Sequence, residues 1–365
     1  MNTMSRGPDP TALAALICDW CLEVTPDAKV MVSSTTLAEP FALALQEAIL
    51  DRDAWPFVVL SPPSASGSFF RHARERHLSA PSPIEFALLD SLDSLVRIDA
   101  PANTNELAGI DPAVIARAAT ARQRLTELQM SRRWCGTLVP TAALAQQAGM
   151  SEEAYAEFVT RALFLDRPDP AAAWRELDDS QAKLIERLAP AREIRIEADG
   201  TDLTLEVHGR TWINSNGKRN MPSGEVFTGP HERSANGKIR FTVPTGPRGV
   251  TVTGVELTFR DGEVVQASAE RGEGYLNAAL ATDAGARLLG EIGIGTNSGI
   301  DRATGHILLD EKMAGTVHLA LGRSYPESGG TNASALHWDL ICDLRDAGRL
   351  SADDETVVER GTIVI

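Results

Sequence analysis

The apolar positions of this chain change period near residue 190. Ahead of it, stretches with helical spacing alternate with short runs rich in β-branched residues. Leu13, Leu16, Ile17 and Trp20 recur at three- and four-residue steps behind the Asp9-Pro10 start signal, which predicts a helix over 11–24. Residues 28–33 and 55–60 read as strands, with a helix over 37–50 between them. Such a β-α-β unit requires parallel strands and a right-handed crossover. A loop follows over 61–67, a further strand over 94–99, a polar loop over 101–105 and a helix over 113–130. Pro140 and Thr141 open an Ala- and Gln-rich helix closed by Gly149. Ser151 caps the next, with Glu152 and Glu153 in its first turn, and 171–189 forms another that Pro190 ends. These elements predict an α/β N-terminal domain with a parallel sheet over residues 1–190.

Beyond 190 the period falls to two. Residues 193–197 and 202–207 alternate strictly, and 251–259 alternates with one slip at Gly254, where a bulge is expected. Turns at Gly200, Gly217, Gly237 and Gly262 punctuate the runs as hairpin turns do. One helix, over 277–289, lies among them. The prediction for 191–365 is a mainly antiparallel β (α+β) C-terminal metal-binding domain.

Length supports two cores, since 365 residues exceed what one core usually organises. Charge narrows the function. A net charge of −15 disfavours nucleic acid and anionic membrane as partners, because both need basic surface. No apolar run approaches the roughly 18 residues of a membrane span, and residues 1–16 lack the pattern of a secretory signal, so a cytoplasmic protein is expected. Four scattered cysteines make no disulfide framework. Cys18-x-x-Cys21 has no preceding strand and no second pair, and reads as core on one helical face rather than as a redox or metal motif. Neither phosphate-binding glycine motif accompanies the strands, so a nucleotide cradle is not expected.

The chemistry concentrates between Gly290 and Leu340. That stretch carries Glu291, Asp310, Glu311, His318, Tyr325, His337 and Asp339 among short apolar runs broken by glycine, where a buried charge is costly unless paired or metal-bound. His337-x-Asp339 is the sharpest signal. In an extended segment, residues two apart share a face about 7 Å apart, so imidazole and carboxylate can meet on one ion. The plainer reading is a hydrogen-bonded pair at a strand end. Glu225, at the start of a short apolar strand, adds a further acid, and Asp310 and Glu311 are expected to follow a strand. The candidate donors are all nitrogen and oxygen, a set suited to Zn, Co, Mn or Mg in a hydrolytic site. His72, His77, His208, His231 and His306 lie outside these segments and read as surface or structural.

The segments PSGEVFTGP (222–230), GEIGIGTN (290–297), DEKMAGTVHLALGRSYP (310–326) and GGTNASALHWDL (329–340) resemble the aminopeptidase T family of metallo-aminopeptidases. Residues 133–166 fit the same family, and the interval from Tyr325 to His337 is shorter than its typical members have. The resemblance implies a peptide substrate with a free N-terminus, a homodimer and a centre of two divalent ions. It implies that Glu225, Glu291, Glu311, His318, His337 and Asp339 are the metal ligands, with Tyr325 close to the metals. Two ions about 3.5–4 Å apart share a bridging carboxylate, for which Glu291 is the candidate, and a bridging water. Tyr325 suits donation to the oxyanion, and Glu225 or Glu311 suits the general base. The alternative is a mononuclear Fe(II) ring-cleaving dioxygenase on the same scaffold, of the dihydroxypyridine dioxygenase kind.

Overall fold

The computed structural model describes residues 7–246 and 250–364. They divide into two compact units. One runs through Ala171 and takes in Gly217–Pro222; the other comprises Ala172–Asn216 and the chain from Ser223 onward.

The first unit is α/β. Its five-stranded sheet is parallel throughout, in the order Trp55–Ser61, Lys29–Thr35, Ser94–Asp99, Arg133–Leu138 and Asn220–Met221. The crossover helix Glu39–Leu50 buries Phe41, Leu45 and Ile49, one side chain per turn on one stripe. Ser151 caps the helix Glu152–Ala162 by accepting from the Ala154 amide. Cys18 and Cys21 are both fully buried, as core cysteines would be.

Several elements are shorter than their periodicity suggests. The first helix is Pro10–Leu16, and a π-type turn carries on over Ile17–Cys21. Residues 113–130 split into Pro112–Ala121 and Gln123–Met130. Arg122 stands between them at ψ 3°, and the turn it makes lets Leu125 join Met31, Leu89 and Leu95 in a small core. Within the loop expected at 61–67 a helix begins, Ala65–His72.

The second unit is antiparallel. An eight-stranded sheet runs in the order Glu263–Ser268, Val255–Arg260, Asn236–Phe241, Thr201–Glu206, Glu193–Ala198, Arg349–Ala352, Glu355–Glu359 and Thr362–Ile363. A five-stranded sheet runs in the order His337–Asp343, Thr316–Gly322, Leu289–Gly295, Glu225–Thr228 and Ile213–Ser215. Both contribute to one apolar core, in which Ile194, Ile196, Leu203 and Leu205 join Ile292, Ile294, Leu319 and Leu340. Helix Pro170–Leu188 lends this core Leu184 and Leu188, so the unit takes up its chain ahead of residue 190.

Three local readings change here. Gly254 sits at φ +59°, and the ladder irregularity lies instead between Thr258 and Phe259. The helix expected over 277–289 is Glu273–Leu280, followed by a 3-10 turn over Ala284–Arg287. The break comes at Asp283, whose carboxylate accepts from the Gly285 amide instead of letting the helix run on. Asp310 closes a one-turn helix, Ile307–Asp310, where a strand was expected to lead in. Among the described residues no helix is long and apolar enough to cross a membrane.

Candidate metal centre

Strand register builds the site. On the five-stranded sheet Ala320 pairs with Glu291 on one side and Asp339 on the other. Two residues along, His318 pairs with Gly293, and Glu225 pairs with Gly295. Side chains two apart share a face. The strands therefore present Glu225, Glu291, His318, His337 and Asp339 on one side. Gly293, Gly295, Ala320 and Gly322 lie between them and leave room. The other side belongs to the core through Ile292, Ile294, Val317, Leu319, Trp338 and Leu340.

Glu225, Glu291 and His318 converge most tightly. All three are buried, and each offers a donor atom within 4.8 Å of the other two. His318 Nε2 stands 3.1 Å from Glu291 Oε1 and 3.5 Å from Glu225 Oε2. His337 and Asp339 form a second pair, with Nε2 3.7 Å from Oδ1. The Arg323 carbonyl accepts from His337 Nδ1 at 2.8 Å. A carbonyl can only accept, so the proton lies on Nδ1 and Nε2 keeps its lone pair for a ligand. Trp338 points the opposite way and donates from Nε1 to Thr245 Oγ1 at 3.1 Å.

Glu311 is placed differently. It follows the one-turn helix, and its Oε1 accepts from the ammonium of Lys312. Lys312 has no exposed surface and lies 3.3 Å from Glu225 Oε1 as well. Asp310 turns away from the cluster. Its Oδ1 accepts from the Thr304 amide at 2.7 Å and the Thr304 hydroxyl at 2.8 Å, and its Oδ2 from the Gly305 amide at 2.8 Å. It pins the loop ahead of Glu311. Tyr325 lies edge-on to the His337 ring at 5.1 Å and to Phe227 at 5.9 Å.

The protonation states respond to burial. Burial raises Glu291 to about 7, partly offset by the His318 hydrogen bond. Burial likewise raises Glu225 and Asp339. It works against charge on His318, but Glu291 and Glu225 outweigh it and lift the imidazole to about 9. At Glu311 burial pushes upward, yet the Lys312 charge prevails and the carboxyl falls below its ordinary value. Tyr325 is held well above the usual phenol range by burial and then by Glu291, Asp339 and Glu311, so its hydroxyl stays protonated.

A divalent cation fits these residues. Glu225 Oε2, Glu291 Oε2, Asp339 Oδ1 and His318 Nδ1 are buried without hydrogen-bond partners among the described residues. Buried carboxylate oxygens rarely go unsatisfied, and an all-nitrogen-and-oxygen set is what Zn, Co, Mn or Mg accepts.

Sequence reasoning gave three supporting residues no role. Lys312 is one; its signal was a lysine beside two acids in an otherwise apolar, glycine-rich stretch. Asn297 donates from Nδ2 to the Ser223 carbonyl at 2.7 Å, and the Gln181 amide donates to the Glu225 carbonyl. Both hold backbone on which Glu225 depends, and such contacts leave no local mark in a sequence.

Comparison with known proteins agrees with this chemistry. The family model described as thermophilic metalloprotease (M29) matches residues 9–362. Aminopeptidase 2 of Geobacillus stearothermophilus is 34% identical over 322 residues, 76% of this chain and 77% of the relative. Aminopeptidase T of Thermus aquaticus is 32% identical over 301 residues, 71% of each. The solved structure of wild-type AmpT from Thermus thermophilus superposes with a TM-score of 0.85 over 98% of this chain and 99% of its own, at 23% identity, a likeness of fold.

Proposed function

The chain belongs to the thermophilic metalloprotease (M29) family and is a metallo-aminopeptidase, and on that premise we propose that it removes the N-terminal residue of peptides at the centre built on Glu225, Glu291 and His318. The observation that carries the proposal is the convergence of those three buried side chains, with carboxylate oxygens that have no hydrogen-bond partner among the described residues. We assign His337, Asp339 and Glu311 to the same centre, and six such donors suffice for two divalent ions. Bound there, divalent ions supply an activated water and a Lewis acid for the scissile carbonyl.

The remaining work falls to the chain itself. His337 is oriented by the Arg323 carbonyl and offers Nε2 inward. Tyr325 keeps its proton and donates it, as a hydrogen bond, to the oxygen that gains charge when the peptide carbonyl is attacked. Glu311, kept ionised by Lys312, accepts the proton released by the attacking water and returns it to the leaving amine. The substrate's free α-amine is bound at the same centre, which confines cleavage to the first residue. A homodimer is part of the proposal, on family likeness alone, and sedimentation checks it.

The test uses a free peptide, its N-acetylated twin and protein supplied with Co, Zn, Mn or Mg. Sequential release of residues from the free peptide only supports the reading. Equal cleavage of both peptides overturns the exopeptidase assignment. Failure with every ion, together with Fe(II)- and oxygen-dependent ring opening of a dihydroxypyridine, overturns the hydrolase.

A further inference from the structure

Lys312 is an unusual neighbour for a metal centre. It is a cation fully enclosed by the protein, with its ammonium 3.3 Å from Glu225 Oε1 and in contact with Glu311 Oε1. A lysine normally keeps its head in water while its stem covers apolar surface. Here both ends are buried, so the positive charge cannot swing out when an ion arrives. Its backbone is fixed too, because the Asn297 amide donates to the Lys312 carbonyl at 3.0 Å and the Lys312 amide donates to the Leu309 carbonyl at 3.1 Å.

We infer that Lys312 acts as a permanent third cation of the centre, so that the protein holds one divalent ion firmly and a second loosely. The reasoning is electrostatic. Glu225, Glu291, Glu311 and Asp339 carry four negative charges when all are ionised, as ligands must be. Lys312 cancels one of them. A first divalent ion then enters a surplus of three negative charges, and a second enters a surplus of only one. Without the lysine the two ions would meet surpluses of four and two. The ammonium also joins Glu225 to Glu311 before any ion binds. It therefore lowers the mutual repulsion of the metal-free carboxylates and lets the empty centre stay assembled.

The inference rests on the metal-centre reading above, and one experiment separates the two. Metal-stripped protein is dialysed against Co(II) or Zn(II) at fixed free concentrations, and bound metal is counted by elemental analysis. Thermal unfolding of the stripped protein is followed in parallel. The wild type is expected to take a second ion only at free metal more than about tenfold above the first, within the range of ordinary coupling between sites. Lys312→Met is expected to hold two ions where the wild type holds one. Its stripped form should melt lower than stripped wild type, with most of the loss recovered when metal is added. Two ions bound by the wild type with one affinity overturn the inference and leave the peptidase reading intact. So does a Lys312→Met variant that binds its second ion no more tightly than wild type does. Where that variant fails to fold without metal, the wild-type titration decides alone. No ion bound at any concentration overturns the metal-centre reading itself.

Discussion

Gly293 stands directly across the ladder from His318, and a Cβ placed on it would lie 2.1 Å from the imidazole Cε1 and 2.2 Å from Nε2. The ring that carries one of the three central donors occupies the space a side chain would need. Gly293→Ala should therefore displace His318 while leaving every candidate ligand unsubstituted. Overpacking of this kind costs about 1–3 kcal/mol. The expected result is a folded protein with a modestly lowered melting temperature and little bound metal, read by calorimetry and elemental analysis.

Metal removal should act on stability and activity together. A chelator is expected to abolish peptide hydrolysis and lower the melting temperature, and added Zn or Co should restore both. At free metal 100 times the dissociation constant the stabilisation is about 2.7 kcal/mol. Glu291→Gln should remove most of that metal-dependent increment, because an amide cannot replace a charged ligand. A melting temperature in Glu291→Gln that still rises with metal as in wild type would remove Glu291 from the centre.

Tyr325→Phe tests the oxyanion role. The ring stays apolar and edge-on to His337, so metal content should not change. Loss of one preorganised donor typically lowers kcat by about 10²–10³. The expected pattern is a fall in kcat with KM nearly constant. A change confined to KM would mean that the hydroxyl binds substrate rather than the transition state.

Asp310 should matter through the loop it holds. Asp310→Ala leaves the buried Thr304 amide without its acceptor, at about 1–3 kcal/mol for a donor left buried, and removes a carboxylate acceptor from the exposed Gly305 amide. Asp310→Asn keeps one acceptor oxygen and should lose less. Urea unfolding of the metal-free forms gives the comparison, and equal midpoints for Ala and Asn would sink the account.

Asp283 makes the stability of the segment before His337 depend on acid. Its carboxylate accepts from the Gly285 and Ala335 amides and the Ser334 hydroxyl. Burial raises its pKa, but these donors together prevail and hold it below the ordinary aspartate value. A lowered folded pKa means a contribution fully present above the unfolded value near 3.9, and lost as pH falls through the folded one. The stability gap between wild type and Asp283→Asn should be constant from pH 8 to 5 and close below about pH 4. A gap unchanged at pH 3 would assign the effect to packing.

How much of this was legible depends on where each signal lies. The change of hydrophobic period distinguishes a parallel from an antiparallel sheet, because a buried parallel strand and a half-buried antiparallel one read differently along the chain. The convergence of Glu225, Glu291 and His318 was foreshadowed because acids and histidines stand out in apolar, glycine-broken strands. What the sequence withheld depends on distant partners. Leu184 and Leu188 show a helical stripe but not which core takes it. Asp283, where the helix expected through residue 289 breaks, is held by the Ser334 hydroxyl and the Ala335 amide, which its neighbours do not encode. Lys312 is of a residue type that nearly always faces water, so only the folded chain reveals its burial.

The alternation of His337, Trp338 and Asp339 makes the enzyme an inspector of its own folding. A slip of one residue along that strand would turn Trp338 towards the donors and send the imidazole and carboxylate into the apolar core. A molecule paired in that way would lose His337 and Asp339 from the proposed centre and keep only the donors on the neighbouring strands. On the proposed assignment of His337 and Asp339 to the centre, a bound ion therefore favours the correct pairing over the slipped one.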